Sequence, residues 1–164
     1  MGRLRVEHLA KTFLVRSGFN SSSALEVFAD VSFDVADGEF VSVIGPSGCG
    51  KSTILNVVAG LDRASRGAVT VDGRAVDGPG LDRGVVFQEF ALFPWLTVLD
   101  NISFGLRSMR LPAEERRRRA RRYVDLVGLT KFADYHPNRL SGGMRQRVGI
   151  ARALAIEPAI LLMD

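Results

Sequence analysis

The chain has 164 residues, 46% apolar and 24% charged, with 22 Lys and Arg against 18 Asp and Glu for a net charge of +4. That is ordinary globular composition for one sizeable core, and it excludes disorder as the starting expectation. Cys49 is the single cysteine, which excludes an internal disulfide and fits a reducing cytoplasm; with no apolar leader at the N-terminus and no apolar run near 18 residues, a soluble intracellular protein is expected.

The first third reads as strands. His8 falls in the first strand region, followed by Ala10-Lys11-Thr12-Phe13. The polar stretch Ser17-Gly18-Phe19-Asn20-Ser21-Ser22-Ser23 reads as a loop between two strands. Val31, Phe33 and Val35 alternate with polar residues, and Asp37-Gly38 makes a tight turn. Phe40-Val41-Ser42-Val43-Ile44 then reads as a strand running into a glycine-rich loop. A helix is expected from Thr53 to Ala59, stopped by Gly60. Val69 and Val71 alternate ahead of Asp72-Gly73, a hairpin signal, and Gly84-Val85-Val86-Phe87 suits a buried strand.

From about residue 89 to residue 157 the pattern turns mainly helical. Leu111-Pro112-Ala113-Glu114-Glu115 opens a helix well, with proline and acids in the first turn. Ala120, Tyr123, Val124 and Val127 form its apolar face, and Gly128 closes it. The arginines at 116–119, 121 and 122 fill the remaining surface. They read as a solvated helix face and not as a nucleic-acid site, because no DNA- or RNA-reading motif accompanies them. A further helix runs from Gly142 to Ile156, capped by Ser141 and ended before Pro158. His136 precedes Pro137 in a loop, and neither it nor His8 is a candidate catalyst. A strand returns at 159–163.

Gly45-Pro46-Ser47-Gly48-Cys49-Gly50-Lys51-Ser52 has the spacing of a phosphate-binding loop between a strand and a helix. Its glycines let successive backbone N–H groups turn toward phosphate oxygens, and the helix N-terminus adds partial positive charge. Lys51 is expected to reach the β- and γ-phosphates, and the hydroxyl of Ser52 to coordinate Mg²⁺. Thr53 completes the expected nucleotide-binding stretch. Asp164 ends the apolar run Ile160-Leu161-Leu162-Met163 and is expected as the magnesium-side carboxylate, emerging at the carboxyl edge of a parallel sheet. Ser141, Gly142 and Gly143 stand at a helix N-terminus and make a second anion site.

Leu140-Ser141-Gly142-Gly143-Met144-Arg145-Gln146-Arg147, with the phosphate loop, Gln88 in Val86-Phe87-Gln88-Glu89 and the terminal apolar-Asp run, resembles the nucleotide-binding subunit of ABC transporters over essentially the whole chain. The resemblance implies an α/β P-loop core with N-terminal antiparallel strands, residues 1–88 and 158–164, interrupted by a helical subdomain at 89–157. It implies ATP and Mg²⁺ as ligands, with metal contacts from Ser52, Gln88 and Asp164. It also implies a head-to-tail pair of ATPase subunits in which Ser141, Gly142, Gly143 and Gln146 act on the partner's ATP. Phe13 matches the aromatic position that stacks on adenine, and Gln88 the one that touches Mg²⁺ or the attacking water.

Ala91-Leu92-Phe93-Pro94-Trp95-Leu96-Thr97-Val98 falls where the family receives a short helix of a membrane permease, so exposed apolar residues there would form a docking surface. Its Phe-Pro-Trp wording is most similar to the nitrate, sulfonate and taurine importers. The expected location is the cytoplasmic face of the membrane, in contact with the permease and, through it, with a substrate-binding protein, and with no nucleic acid. Two other readings stay open: a catalytically incomplete nucleotide-binding fragment, and a soluble ATPase of the same class acting in DNA repair or translation. The family's catalytic Glu and its switch His lie beyond Asp164. The strand carrying that His belongs between the phosphate-loop strand and the Asp164 strand, so the 164-residue chain alone is expected to be poorly stable and hydrolytically inactive.

Overall fold

Leu4 and Val6 are buried on one face of the first strand while Arg5 and Glu7 face outward, the two-residue period of a half-buried strand. The computed structural model describes residues 2–16 and 22–164, and these fall into two units, Met1–Gly80 and Leu81–Asp164.

In the first unit, β1 (Leu4–Arg16) pairs antiparallel with β2 (Ser22–Val35). The expected loop between them lies outside the described residues at 17–21; its last two residues, Ser22 and Ser23, belong to β2. The ladder is irregular between Val6 and Thr12. There His8 and Asp30 take φ values of 49° and 55°, as at a bulge that re-aims the strand. The shift places Leu9, Ala10 and Lys11 in buried positions in succession. β3 (Arg66–Val71) pairs with the other side of β1 and turns into β4 (Arg74–Ala75), giving the order β2-β1-β3-β4. The Asp72-Gly73 turn has φ values of 49° and 76°, the doubly left-handed geometry that suits a twisted hairpin.

Helix α1 (Lys51–Ala59) follows β2 in the chain, burying Ile54, Val57, Val58 and Ala59. Gly60 ends it at φ 76°. A Cβ there would stand 2.2 Å from the carbonyl oxygen of Gly78, so no larger residue fits.

The second unit joins a two-stranded parallel sheet to a set of helices. β5 (Arg83–Val86) and β6 (Ile160–Met163) pair in register from Arg83–Ile160 to Val86–Met163. The helices fall within the stretch expected to be helical: α2 (Val98–Ser103), α3 (Ala113–Leu126) and α4 (Gly142–Ala155), with short 3₁₀ turns between them. Ala120 and Val124 of α3 are buried with Val98 and Ile102 of α2 and Val148 and Ala151 of α4. Tyr123 and Val127 pack against that core, and Gly128 takes φ 69° just past the helix end. Arg117, Arg118, Arg121 and Arg122 are exposed, as the periodicity predicts. Arg116 and Arg119 are instead half-buried, Arg116 donating to the Leu111 carbonyl and Arg119 pairing with Glu157, because each lies one turn before a residue of the apolar stripe.

One expectation fails. Phe40-Val41-Ser42-Val43-Ile44 does not form a strand. β2 ends at Val35, the Asp37-Gly38 turn follows, and Phe40 and Ile44 are 87% and 92% exposed. An apolar run acquires strand structure by ladder pairing, and among the described residues no strand pairs with this one.

Candidate functional site

The loop Gly45-Pro46-Ser47-Gly48-Cys49-Gly50 lies on the surface ahead of α1. Gly48 and Gly50 take φ values of 79° and 96°, a region closed to most side chains. Gly50 is the N-cap and makes no side-chain cap hydrogen bond. It is also pressed against β2, where a Cβ would meet Cγ1 of Val27 at 2.7 Å and Cδ1 of Phe28 at 3.1 Å. Lys51 folds back over the loop, its Nζ donating to the carbonyl oxygens of Gly45 at 2.9 Å and Pro46 at 2.8 Å. Cys49 is exposed, with Sγ 3.8 Å from the same Nζ. Ser52 is exposed and Thr53 half-buried in the first turn of α1. The donor set fits a phosphate chain: a helix N-terminus, a glycine-rich bend and one ammonium.

Phe13 is 39% exposed near the end of β1, on the hairpin that contacts Gly50. Phe28, which touches Gly50, is the ladder partner of Lys11, two residues before Phe13. The Nζ of Lys11 stands 4.6 Å from the centre of the Phe13 ring, within cation–π range. It also pairs with Asp62 Oδ1 at 2.7 Å and donates to the Arg63 carbonyl at 2.7 Å. The Lys11 hydrogen bond holds the Asp62 carboxyl below the ordinary aspartate range, partly offset by burial. No sequence signal singles out this lysine, because a buried ammonium is recognised only by its partners.

In the second unit, Gln88 is exposed in the turn after β5. Asp164 follows β6, and its N–H donates to the Val86 carbonyl at 3.0 Å. The parallel register therefore brings Gln88 and Asp164 to the same carboxyl end of the pair, where α/β sheets bind ligands. Ser141 caps α4, its hydroxyl accepting from the Met144 N–H at 3.3 Å. A Cβ on Gly142 or Gly143 would meet nothing within 4 Å, so that helix end is open. Gln146 lies one turn further on and is half-buried.

Two residues that sequence reading passes over shape the segment after Gln88. Asn101 is fully buried; its Nδ2 donates to the carbonyls of Phe93, Leu96 and Thr97, and its Oδ1 accepts from the Phe93 N–H. This holds out Trp95, which is 70% exposed and stacks obliquely on Phe93. Arg152 of α4 donates to the carbonyls of Phe90 and Ala91, and burial pulls its guanidinium below the usual range. Among the described residues, no helix is long and apolar enough to cross a membrane.

These features agree with the comparisons. The family described as "ABC transporter" matches residues 28–164. The chain is 48% identical over 164 residues to the taurine import ATP-binding protein TauB of Pseudomonas aeruginosa, covering 100% of this chain and 60% of that protein. It is 46% identical over 157 residues to the nitrate import ATP-binding protein NrtD of Synechocystis sp., covering 96% and 59%. It thus spans about 60% of the length of these curated relatives. Among solved structures it is similar to the ATP-binding cassette MJ0796, determined as a dimer in a post-hydrolysis state bound to ADP and Pi. That match has 37% identity and a TM-score of 0.87, covering 98% of this chain and 73% of the other. The glycine loop on α1, the capped helix α4 and the family match over most of its residues together place the chain in the ABC transporter family.

Proposed function

We propose that the chain is the nucleotide-binding part of an importer ATPase subunit. The observation that carries this reading is the loop before α1, where Gly48 and Gly50 hold left-handed backbone and Lys51 lies across the loop carbonyls. In the bound state Lys51 would exchange those carbonyls for the β- and γ-phosphates of ATP, and residues 45–53 would supply the cradle. Phe13, backed by Lys11, would stack on the adenine. The oxygen donors of Ser52, Gln88 and Asp164 are of the hard type that Mg²⁺ takes. That ion would neutralise charge on the phosphates. Ser141, Gly142, Gly143 and Gln146 would face the ATP of a second subunit, so that two nucleotides close a head-to-tail pair and their hydrolysis reopens it.

The segment carrying Trp95 would dock on a membrane permease, and a substrate-binding protein would be reached through that permease. We place the protein on the cytoplasmic face of the membrane, and residues 1–164 within one ATP-binding domain, with 89–157 as its helical part. Similarity to TauB and NrtD supports taurine, a sulfonate or nitrate as the cargo. The test uses Cys49, exposed inside the loop. In the complete subunit, Mg²⁺ and saturating ATP should slow alkylation of Cys49, mapped by mass spectrometry, by about tenfold or more. Equal labelling rates with and without ATP would contradict the reading.

A further inference from the structure

Phe90 and Ala91, the second and third residues after Gln88, take φ values of 50° and 44°. Neither is glycine, and two successive left-handed residues persist only where their surroundings hold them. Within the bend, the Ala91 N–H also bonds the Glu89 carbonyl. The external hold comes from α4. Nη1 of Arg152 donates to the Ala91 carbonyl at 2.7 Å and Nη2 to the Phe90 carbonyl at 3.2 Å. A planar guanidinium presents two donors in a fixed fork, which a lysine does not. The rest of the same helical stripe repeats the contact. Arg145 lies 5.6 Å from the centre of the Phe90 ring and Arg152 5.8 Å from that of Phe93. Gly149, between them, faces the Phe90 carbonyl oxygen, 3.6 Å from where its Cβ would stand.

The helix that makes this grip begins at Ser141-Gly142-Gly143. We propose that Arg152 is a positioning residue that locks the backbone bend behind Gln88 to this helix, so that Gln88 and the Ser141-Gly142-Gly143 end move as one piece. The existence of the lock rests on the second unit alone, and its use in coupling ATP turnover rests on the proposed function.

The test is amide hydrogen exchange in the complete subunit, read separately for residues 88–93 and for the interior of α4, alongside ATP turnover. Arg152→Ala should speed exchange at 88–93 by about tenfold to a hundredfold, the loss of charge-assisted hydrogen bonds, with α4 little changed. Arg152→Lys should fall between it and the parent. Adding Ala91→Gly to Arg152→Ala should leave turnover low, because glycine takes the bend without strain but does not tie it to α4; full rescue by the glycine would mean that Arg152 only relieves strain and would overturn the lock. Turnover should fall in kcat with KM for ATP retained. Exchange at 88–93 unchanged in Arg152→Ala, or α4 accelerated equally with the loop in both single variants, would overturn the lock. A parent protein with protected 88–93 amides and no ATP turnover would instead overturn the function while leaving the lock in place.

Discussion

The Nζ of Lys51 lies 2.8 Å from the carbonyl oxygen of Pro46, so the loop's one cation is bound to the loop itself. The contact is exposed, and exposed polar contacts of this kind contribute little to folding. Lys51→Met should therefore leave stability within about 1 kcal/mol of the parent by denaturant unfolding. Its cost should appear as lost affinity for ATP.

Gly50 is a different case. At its φ of 96°, an added methyl group would come within 2.7 Å of Val27, which leaves no room for alanine. Gly50→Ala should distort the loop, destabilise the protein by about 1–3 kcal/mol and weaken ATP binding, read by thermal unfolding with and without nucleotide.

Gly143 should behave oppositely. It lies in the first turn of α4 with open space around it, so folding does not require a glycine there. Gly143→Ala should raise stability by about 0.5–1 kcal/mol through helix propensity. If the backbone there approaches a partner's phosphate, the same change should lower ATP turnover. Improved stability with undiminished turnover would remove the proposed role of that helix end.

The legible parts of this fold are those in which local chemistry decides. Glycine loops, the Asp72-Gly73 turn, the Ser141 cap and the apolar stripe of α3 each follow from short-range sterics or periodicity. The stretch at residues 40–44 departs from its apolar pattern because strand formation needs a ladder partner, which composition does not supply. Phe13, the loop residues, Gln88 and Asp164 can be named from motifs. Lys11, Asn101 and Arg152 cannot, because each is defined by carbonyls or carboxylates elsewhere in the chain. Asn101 reaches back to Phe93, and Arg152 reaches 61 and 62 residues to Ala91 and Phe90.

Asn101→Ala would strand several polar groups of the loop from Phe93 to Thr97 around a fully buried position. A loss of about 2–4 kcal/mol is expected. Trp95 is the only tryptophan, so its fluorescence should change in the folded variant, reporting a released loop.

The Lys11–Asp62 pair gives a pH signature. The folded carboxyl titrates below its unfolded value, so the pair's contribution is present above the unfolded value and is lost as pH falls through the folded one. Lys11→Met should move the Asp62 titration upward, followed by carboxyl carbon NMR, and should remove that acid-side dependence.

The most direct test of the central claim is calorimetric titration of the complete subunit with ATP in the presence of Mg²⁺, beside Lys51→Met. Saturable binding of one ATP per subunit, weakened by at least about tenfold in the variant, is the predicted result. No saturable binding by the parent, or equal affinity in the two proteins, would contradict it.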